Sequence, residues 1–338
     1  MTETVLLPGL PDDDSINRTI EFILLTQQPD GAIPWFAGGY TDPWDHVEAA
    51  MALDAAGRHE AAAAAFDWLR RVQNPDGSWY SRYQDGVVTD HTKESNFAAY
   101  LGVGLWHHLL CTGDTAFLRR MWPALQAMVD FVLRLQLPGG QVAWAVSPAG
   151  TRADEALVTG CSSILHGLRG ALAVAAHLGL ARPRWREAAD RLAGALTGHP
   201  ERFSPRHRFS MDWYYPVLGG VLRGDARRER LADDWDRFVV PGLGARCVAD
   251  RPWVTAAETS ELALALCATG DTAAAADLLA GLEKLRHSDG SYWTGYVYPD
   301  DAYWPVERTT WTAGAVVLAT AAVMGAPATS QVFATPAD

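Results

Sequence analysis

The sequence predicts an all-α fold: an (α/α)6 toroid of twelve helices in alternating outer and inner layers, within a single domain over residues 1–338. Three observations predict it. Strand signals are nearly absent, while alanine and leucine recur at helical spacing. Two sorts of helix alternate six times: one amphipathic and charged on one face, the other apolar and small almost all round. A helix that is apolar all round must be enclosed by others, and a one-faced helix can form the layer that encloses it. Finally, a turn phrase recurs at about the interval of one helical hairpin. It reads Gln27-Gln28-Pro29-Asp30-Gly31 with Trp35 beyond, then Gln73-Asn74-Pro75-Asp76-Gly77-Ser78-Trp79. It returns as Gln136-Leu137-Pro138-Gly139-Gly140 with Trp144, and as Ser288-Asp289-Gly290-Ser291-Tyr292-Trp293. Such self-similarity marks a repeat architecture.

In chain order, the expected pairs of outer and inner helices are 16–27 with 44–56, 58–72 with 94–111, and 114–135 with 157–178. The remaining three are 184–196 with 213–222, 227–238 with 255–268, and 272–285 with 309–324. Small residues in the inner set (Ala49-Ala50, Gly102, Gly104, Gly167, Gly170, Gly219-Gly220, Ala263, Ala265, Gly314) permit close packing. Gly57, Gly113, Gly179, Gly224, Gly270 and Gly325 follow the inner helices as C-terminal caps. Asp114 and Asp271 then stand as N-caps of the next outer helix. The stretches 1–11 and 326–338 read as loosely ordered termini.

All six inner helices therefore begin at one end of the toroid, the end that receives the long loops carrying the phrase. The other end has short turns such as Thr112-Gly113-Asp114-Thr115. Sites are normally built on long loops.

Bulk properties narrow the function. A formal net charge of −12 argues against a nucleic-acid backbone or an anionic membrane as partner. No apolar run approaches the length of a membrane span, and Met1-Thr2-Glu3-Thr4 lacks a signal-peptide pattern, so a cytoplasmic protein is expected. The four cysteines (Cys111, Cys161, Cys247, Cys267) are far apart and read as buried free thiols. Neither a metal nor a cofactor is expected, and the oligomeric state is not legible.

The polar residues concentrate where inner helices begin. The first opens Asp42-Pro43-Trp44-Asp45-His46-Val47-Glu48, and the second Asp90-His91-Thr92-Lys93-Glu94-Ser95-Asn96. Arg152-Ala153-Asp154-Glu155 precedes the third, and Met211-Asp212-Trp213-Tyr214-Tyr215 opens the fourth. The fifth carries Trp253, Thr255 and Glu258. Asp300, Asp301 and Trp304 precede the sixth, which brings Glu307-Arg308 and Trp311. Any one acidic residue at a helix N-terminus is sufficiently explained by the dipole. Six helices doing so together, with at least nine of fourteen tryptophans near the same ring, point to a site. Aromatic faces with hydrogen-bonding carboxylates suit a sugar, and they also suit a carbocation started by an acid. Either chemistry uses one carboxyl as acid and another as base.

At these residues the chain resembles the six-hairpin glycosidases, most closely the glucoamylase-type glycoside hydrolases. Tyr40-Thr41-Asp42-Pro43-Trp44-Asp45-His46 resembles their first inner helix, where an Arg-Asp pair holds the sugar; Asp45 matches the aspartate, and Trp44 stands for the arginine. Thr112-Gly113-Asp114-Thr115-Ala116-Phe117-Leu118 is a scaffold phrase of such enzymes. Asp154-Glu155 before Gly160-Cys161-Ser162-Ser163 resembles the general-acid region and implies Glu155 as proton donor. Glu307-Arg308-Thr309-Thr310-Trp311 resembles the last inner helix, so the base is expected among Asp300, Asp301 and Glu307. The resemblance implies a hydrolase acting on a small or terminal sugar unit with inversion. The substrate would be held by Trp35, Asp42, Trp44, Asp45, His46, Lys93, Glu94, Asp212, Trp213, Tyr214, Glu258, Trp304 and Trp311.

Two further readings stand beside it. Gln followed by Asp-Gly-Ser-Trp is similar to the repeats of squalene cyclases and prenyltransferase β-subunits, which share the toroid and would imply an isoprenoid enzyme. A toroid that binds carbohydrate without catalysis is the other. Epimerases and lyases on this scaffold would use His46, His91 or Tyr215 as base.

Overall fold

In a computed structural model of the protein, which describes residues 10–333, the inner layer is α2 (Pro43–Ala55), α4 (Ser95–Thr112), α6 (Val158–His177), α8 (Ser210–Leu218), α11 (Ala256–Thr269) and α13 (Thr310–Val323). Each packs on the next, and α13 packs back on α2, so the ring closes. Around it lie α1 (Asp13–Thr26), α3 (His59–Val72), α5 (Thr115–Arg134), α7 (Pro183–Gly198), the pair α9 (Asp225–Asp233) and α10 (Trp235–Phe238), and α12 (Thr272–Gly281). The (α/α)6 toroid and its alternation of layers are as the sequence predicts. The fifth outer helix is broken at Asp234, where φ is −119°, so the stretch read as one helix over 227–238 is two.

The expected caps form. Asp114 Oδ1 accepts from the Phe117 N–H at 2.9 Å and Asp271 Oδ1 from the Ala274 N–H at 3.1 Å. The inner helices pack without side chains between some of them. A Cβ at Gly102, Gly167 or Gly170 would come closer than 3.0 Å to backbone of the facing helix, so α4 and α6 touch main chain to main chain.

The repeated phrase is a clasp. The side-chain amide of Gln27 donates to Gly31 O at 3.2 Å and to Ala61 O of α3 at 3.0 Å. Gln73 does the same with Gly77 O at 3.1 Å and Ala124 O of α5 at 2.9 Å. Gln136 repeats it with Gly140 O and with Ala188 O of α7, both at 2.8 Å. Each phrase thus ties the end of one outer helix to the next. The fourth copy closes the circle, since Thr19 Oγ1 of α1 donates to Gly290 O at 2.8 Å. The glycines of the phrase have φ between 85° and 97°, a left-handed backbone that disfavours a side chain.

Two features were not legible. Helix α14 (Pro327–Phe333) closes the far end of the barrel against α4, α11 and α13, with Thr329, Val332 and Phe333 buried. His107 Nε2 lies 3.1 Å from Thr329 Oγ1, and His166 Nε2 donates to Val332 O at 3.0 Å. The sequence reads 326–338 as loose because so short a segment shows no periodic stripe; residues 327–333 are anchored. Residues 1–9 and 334–338 of the two expected loose termini lie outside the described residues. At the mouth, a hairpin pairs Arg82–Gln84 with Val87–Asp90, and a three-stranded sheet joins Trp253–Thr255, Gly295–Val297 and Ala302–Tyr303. These strands are too short for alternation to register. Among the described residues, no single helix is long and apolar enough to cross a membrane.

Candidate active site

Two inner helices present carboxyls in matching register. Asp42 is the N-cap of α2, with Asp45 and Glu48 three and six residues on; Thr255 is the N-cap of α11, with Glu258 and Glu261 three and six residues on. Residues three apart share a helix face, so each helix points one carboxyl toward the mouth and one a turn deeper. The charges of Glu48 and Glu261 act on each other, and Glu258 acts on both, so the two pairs meet at the centre of the ring.

The deeper pair forms a floor. Glu261 accepts hydrogen bonds from the hydroxyls of Tyr214 and, at 2.9 Å, Tyr215. Burial raises its pKa to about 8, and the Glu258 carboxylate adds to the rise against the lowering by the tyrosines. Glu48 is likewise held well above the ordinary carboxyl range, first by burial and then by Glu261, Asp42 and Glu258. Tyr100 and Tyr215 close the floor, and Trp44 packs between them at ring separations of 5.4 and 5.6 Å.

The upper pair lies nearer the mouth. Asp45 is partly exposed, and burial together with the Asp42 charge pushes its carboxyl well above the usual range, with Glu48 and Glu261 contributing. Asp42 accepts from the Trp35 indole N–H at 2.6 Å and from the Asp45 N–H at 3.0 Å. Those bonds oppose the upward shift that burial imposes on it. Opposite, Glu258 shares a hydrogen bond with the Cys247 thiol, whose pKa burial raises. Trp35 stacks near Tyr40 and Trp311 at 4.6 and 6.0 Å. Arg82 covers the Tyr40 ring at 4.4 Å. The Trp311 Nε1 is buried with no partner among the described residues. Glu94, the N-cap residue of α4, accepts from Ser81 Oγ at 3.1 Å; burial lifts it to about 7. Glu307 joins this rim: its charge is felt at Tyr40, and burial raises its own pKa.

The structure therefore brings together Trp35, Asp42, Trp44, Asp45, Glu94, Tyr214, Glu258, Glu307 and Trp311. It places the other expected residues elsewhere. Glu155 is exposed, 3.9 Å from the Arg206 guanidinium. Asp300 is exposed at a turn; Asp301 is fixed on the outside of the sheet by the Tyr296 hydroxyl at 2.6 Å and Lys284 at 3.3 Å. His46 faces the outer layer, where its Nδ1 accepts from the Ile33 N–H at 3.0 Å and its Nε2 donates to Ala65 O at 2.9 Å. Trp213 also faces outward, stacked on Phe238 at 5.3 Å with its N–H on Arg230 O. Asp212 bridges to α6, accepting from Thr159 Oγ1 at 2.6 Å beside a side cleft of about 460 Å³ lined by Val158, Phe203 and Pro216. Lys93 is paired with Asp76 at 2.7 Å. Trp304 is exposed on the sheet above the mouth.

Sequence reasoning missed Glu48 and Glu261. Their signal is an acidic residue three positions after another in a helix that is otherwise apolar, which places both on one face and requires a polar interior there. Among the described residues, no group of histidine, cysteine or acidic side chains has a metal-holding arrangement.

Glu48 makes the floor testable. Its folded pKa is raised, so the native state binds this proton more tightly than the unfolded chain does. The stability it contributes is complete below the unfolded carboxyl pKa of about 4.3 and is lost as pH rises through the folded value. Glu48→Gln, which mimics the protonated form, flattens this dependence. In calorimetric scans, Glu48→Gln should match the parent at about pH 3.5, below the unfolded pKa, and melt at least about 2 °C higher at pH 8–9.

No family model matches the chain. It is 55% identical over 313 residues to the MMP endo-(1,4)-3-O-methyl-alpha-D-mannosidase of Mycolicibacterium hassiacum, covering 93% of this chain and 87% of that protein. Its fold is similar to that of a glycosidase solved with glucose (TM-score 0.72, 17% identity, 93% of this chain and 99% of that one). It is also similar to a GH63 mannosylglycerate hydrolase from Thermus thermophilus (TM-score 0.68, 15% identity, 89% and 98%). A D-mannose isomerase shares the architecture as well (TM-score 0.68, 14% identity, 92% and 96%).

Proposed function

Because the chain belongs to the same family of glycoside hydrolases as that endo-mannosidase, we propose that it cuts internal α-(1,4) linkages between 3-O-methyl-D-mannose units, with Asp45 as acid and Glu258 as base. The observation that carries the residue assignment is the matched register of Asp45/Glu48 and Glu258/Glu261 on two inner helices. In each pair the upper carboxyl lies nearer the mouth, with Asp45 partly exposed and Glu258 8% exposed, and the lower one is enclosed at 2–3%.

Asp45, kept protonated by burial and by the charges below it, delivers its proton to the glycosidic oxygen as the C1–O bond breaks. The Glu258 carboxylate removes a proton from a water molecule that attacks C1 from the opposite face. The proton lost by Asp45 and the one gained by Glu258 balance after exchange with solvent. The two carboxyls come from helices that flank α13 in the ring, and inversion requires them to stand far enough apart to admit that water. Trp35, Trp311 and Tyr40 offer aromatic faces to the sugar, and the unpartnered Trp311 N–H offers a donor to one of its oxygens. Glu94 and Glu307 line the rim as hydroxyl acceptors.

The isoprenoid reading has no support. A cyclase cavity would be dry and aromatic with a lone acid, and this centre holds two pairs of carboxyls. A cytoplasmic place of action accords with the four unpaired cysteines.

The test is hydrolysis of 3-O-methyl-α-(1,4)-mannan oligosaccharides followed by NMR of the fresh products. Internal cuts that release β-anomers at first are expected. Release of α-anomers would overturn inversion, and release of single terminal units would overturn internal cleavage.

A further inference from the structure

The described residues expose few large apolar side chains, and two of them fall within one short segment above the mouth, Trp304 at 57% and Val306 at 79%, while Tyr303 turns to the other face of the sheet with Tyr296. Isolated exposed apolar residues need no explanation, but a contiguous patch does. This patch is built. The Trp253 indole N–H donates to Trp304 O at 2.7 Å, and the two rings meet edge to face at 4.9 Å. Behind the patch, on the other face of the sheet, Trp293 stacks on Tyr303 at 4.9 Å and 12° between planes, and the Arg308 guanidinium lies 5.1 Å from the Trp293 ring centre. Room for the Trp253 ring is made by Gly295, where a Cβ would come closer than 3.0 Å to the indole. These rings are held in place before any ligand arrives.

The patch is continuous with the site. Trp253 leads directly into the N-cap of α11, which carries Glu258. Val306 adjoins Glu307, and Thr310 N–H donates to Trp35 O at 2.7 Å at the start of α13. A glycan bound with one linkage between Asp45 and Glu258 must extend out of the mouth on at least one side, and this sheet lies at the exit.

We propose that Trp253, Trp304 and Val306 form a remote binding strip for the glycan chain leaving the active site, selective for chains whose sugars carry methyl ethers. The inference rests on the endo-hydrolase reading and extends it to the recognition of chain length and methylation. A methyl ether replaces a hydroxyl that would demand a hydrogen-bond partner with an apolar group that aromatic and aliphatic surface can cover. The strip offers ring faces and the Val306 side chain, apolar surface that fits the ether better than the hydroxyl. Fixed rings also lower the ordering cost of binding.

The experiment titrates catalytically silenced Asp45→Asn protein, with and without Trp304→Ala added, by calorimetry. The probes are a 3-O-methyl-α-(1,4)-mannan oligosaccharide of about ten units, its disaccharide, and an unmethylated α-(1,4)-glucan of equal length as control. The proposal expects the long methylated probe to bind at least about tenfold more tightly than the disaccharide. Trp304→Ala should remove most of that gain while leaving disaccharide affinity within about twofold. Equal affinities for the two lengths, or a length preference untouched by Trp304→Ala, would overturn the strip. A strip that prefers the unmethylated glucan would overturn the methyl selectivity. Trp304→Ala protein that loses a dimer in sedimentation and keeps the length preference would assign the patch to self-association and overturn the proposal. Because the readout is binding to silenced protein, failure of the catalytic assignment shows separately, as an Asp45→Asn variant that still hydrolyses.

Discussion

Asp45→Asn is expected to lower the rate of glycan hydrolysis by about 10²–10⁴-fold, the range typical of losing a positioned general acid. The asparagine keeps the size of the protonated aspartate and its neutrality, and it spares the fold the cost of binding a proton that the unfolded chain has released, so the melting temperature near neutral pH should be no lower than the parent's. Departure of a glycosidic oxygen needs a proton, whereas departure of fluoride or a nitrophenolate needs little help. Asp45→Asn should therefore lose far less on a glycosyl fluoride than on the glycan. Equal losses on both substrates would give Asp45 a binding role and remove it from proton transfer. The activity of the parent should also fall on the alkaline side as Asp45 loses its proton, and that limb should disappear in the variant.

Gly77→Ala is the second large effect. Gly77 has φ of 85°, which costs an L-residue about 1–2 kcal/mol. Its added methyl would also fall closer than 3.0 Å to the Ala127 carbonyl of α5, which is backbone and cannot swing aside. The clasp between α3 and α5 must then open, and with it the Gln73 bonds. A loss of about 3–5 kcal/mol is expected from strain and overpacking together. Gly86 provides the control: φ is 75°, and nothing lies within 4 Å of the added atom. Gly86→Ala should cost only the conformational part, about 1–2 kcal/mol. Urea melts of both variants separate backbone conformation from the clasp. Equal midpoints would mean that the phrase is only a turn.

Much of this architecture was legible because burial leaves a strong mark on composition. α13 is apolar on every side and α5 on one, and no other arrangement hides the first while wetting one face of the second. The first-turn residues Asp42, Asp45 and Glu258 were visible for the same reason: polarity concentrated at the start of an otherwise apolar helix has to serve something. What sequence could not resolve was direction within a turn. His46 follows Asp45 by one residue, a rotation of about 100°, and that rotation carries it from the cavity to the outer layer. Trp213 and Tyr214 part in the same way. Glu155, Asp300 and Asp301 were drawn in by position along the chain, but a loop residue can face the ring or the solvent at no cost that its neighbours reveal. Glu48 and Glu261 were passed over because they sit a turn below the polar opening.

The clasps bear on when this protein becomes competent. Asp45 belongs to the first hairpin and Glu258 to the fifth, and they face each other only once the Gly290 turn has latched onto α1 and brought the last inner helix against the first. A nascent chain still missing its final hairpin holds every residue assigned to the chemistry, yet it has no cavity in which they meet. Hydrolysis is thus a report on ring closure, and a chain cut open at any one clasp should fall silent well before its helices melt.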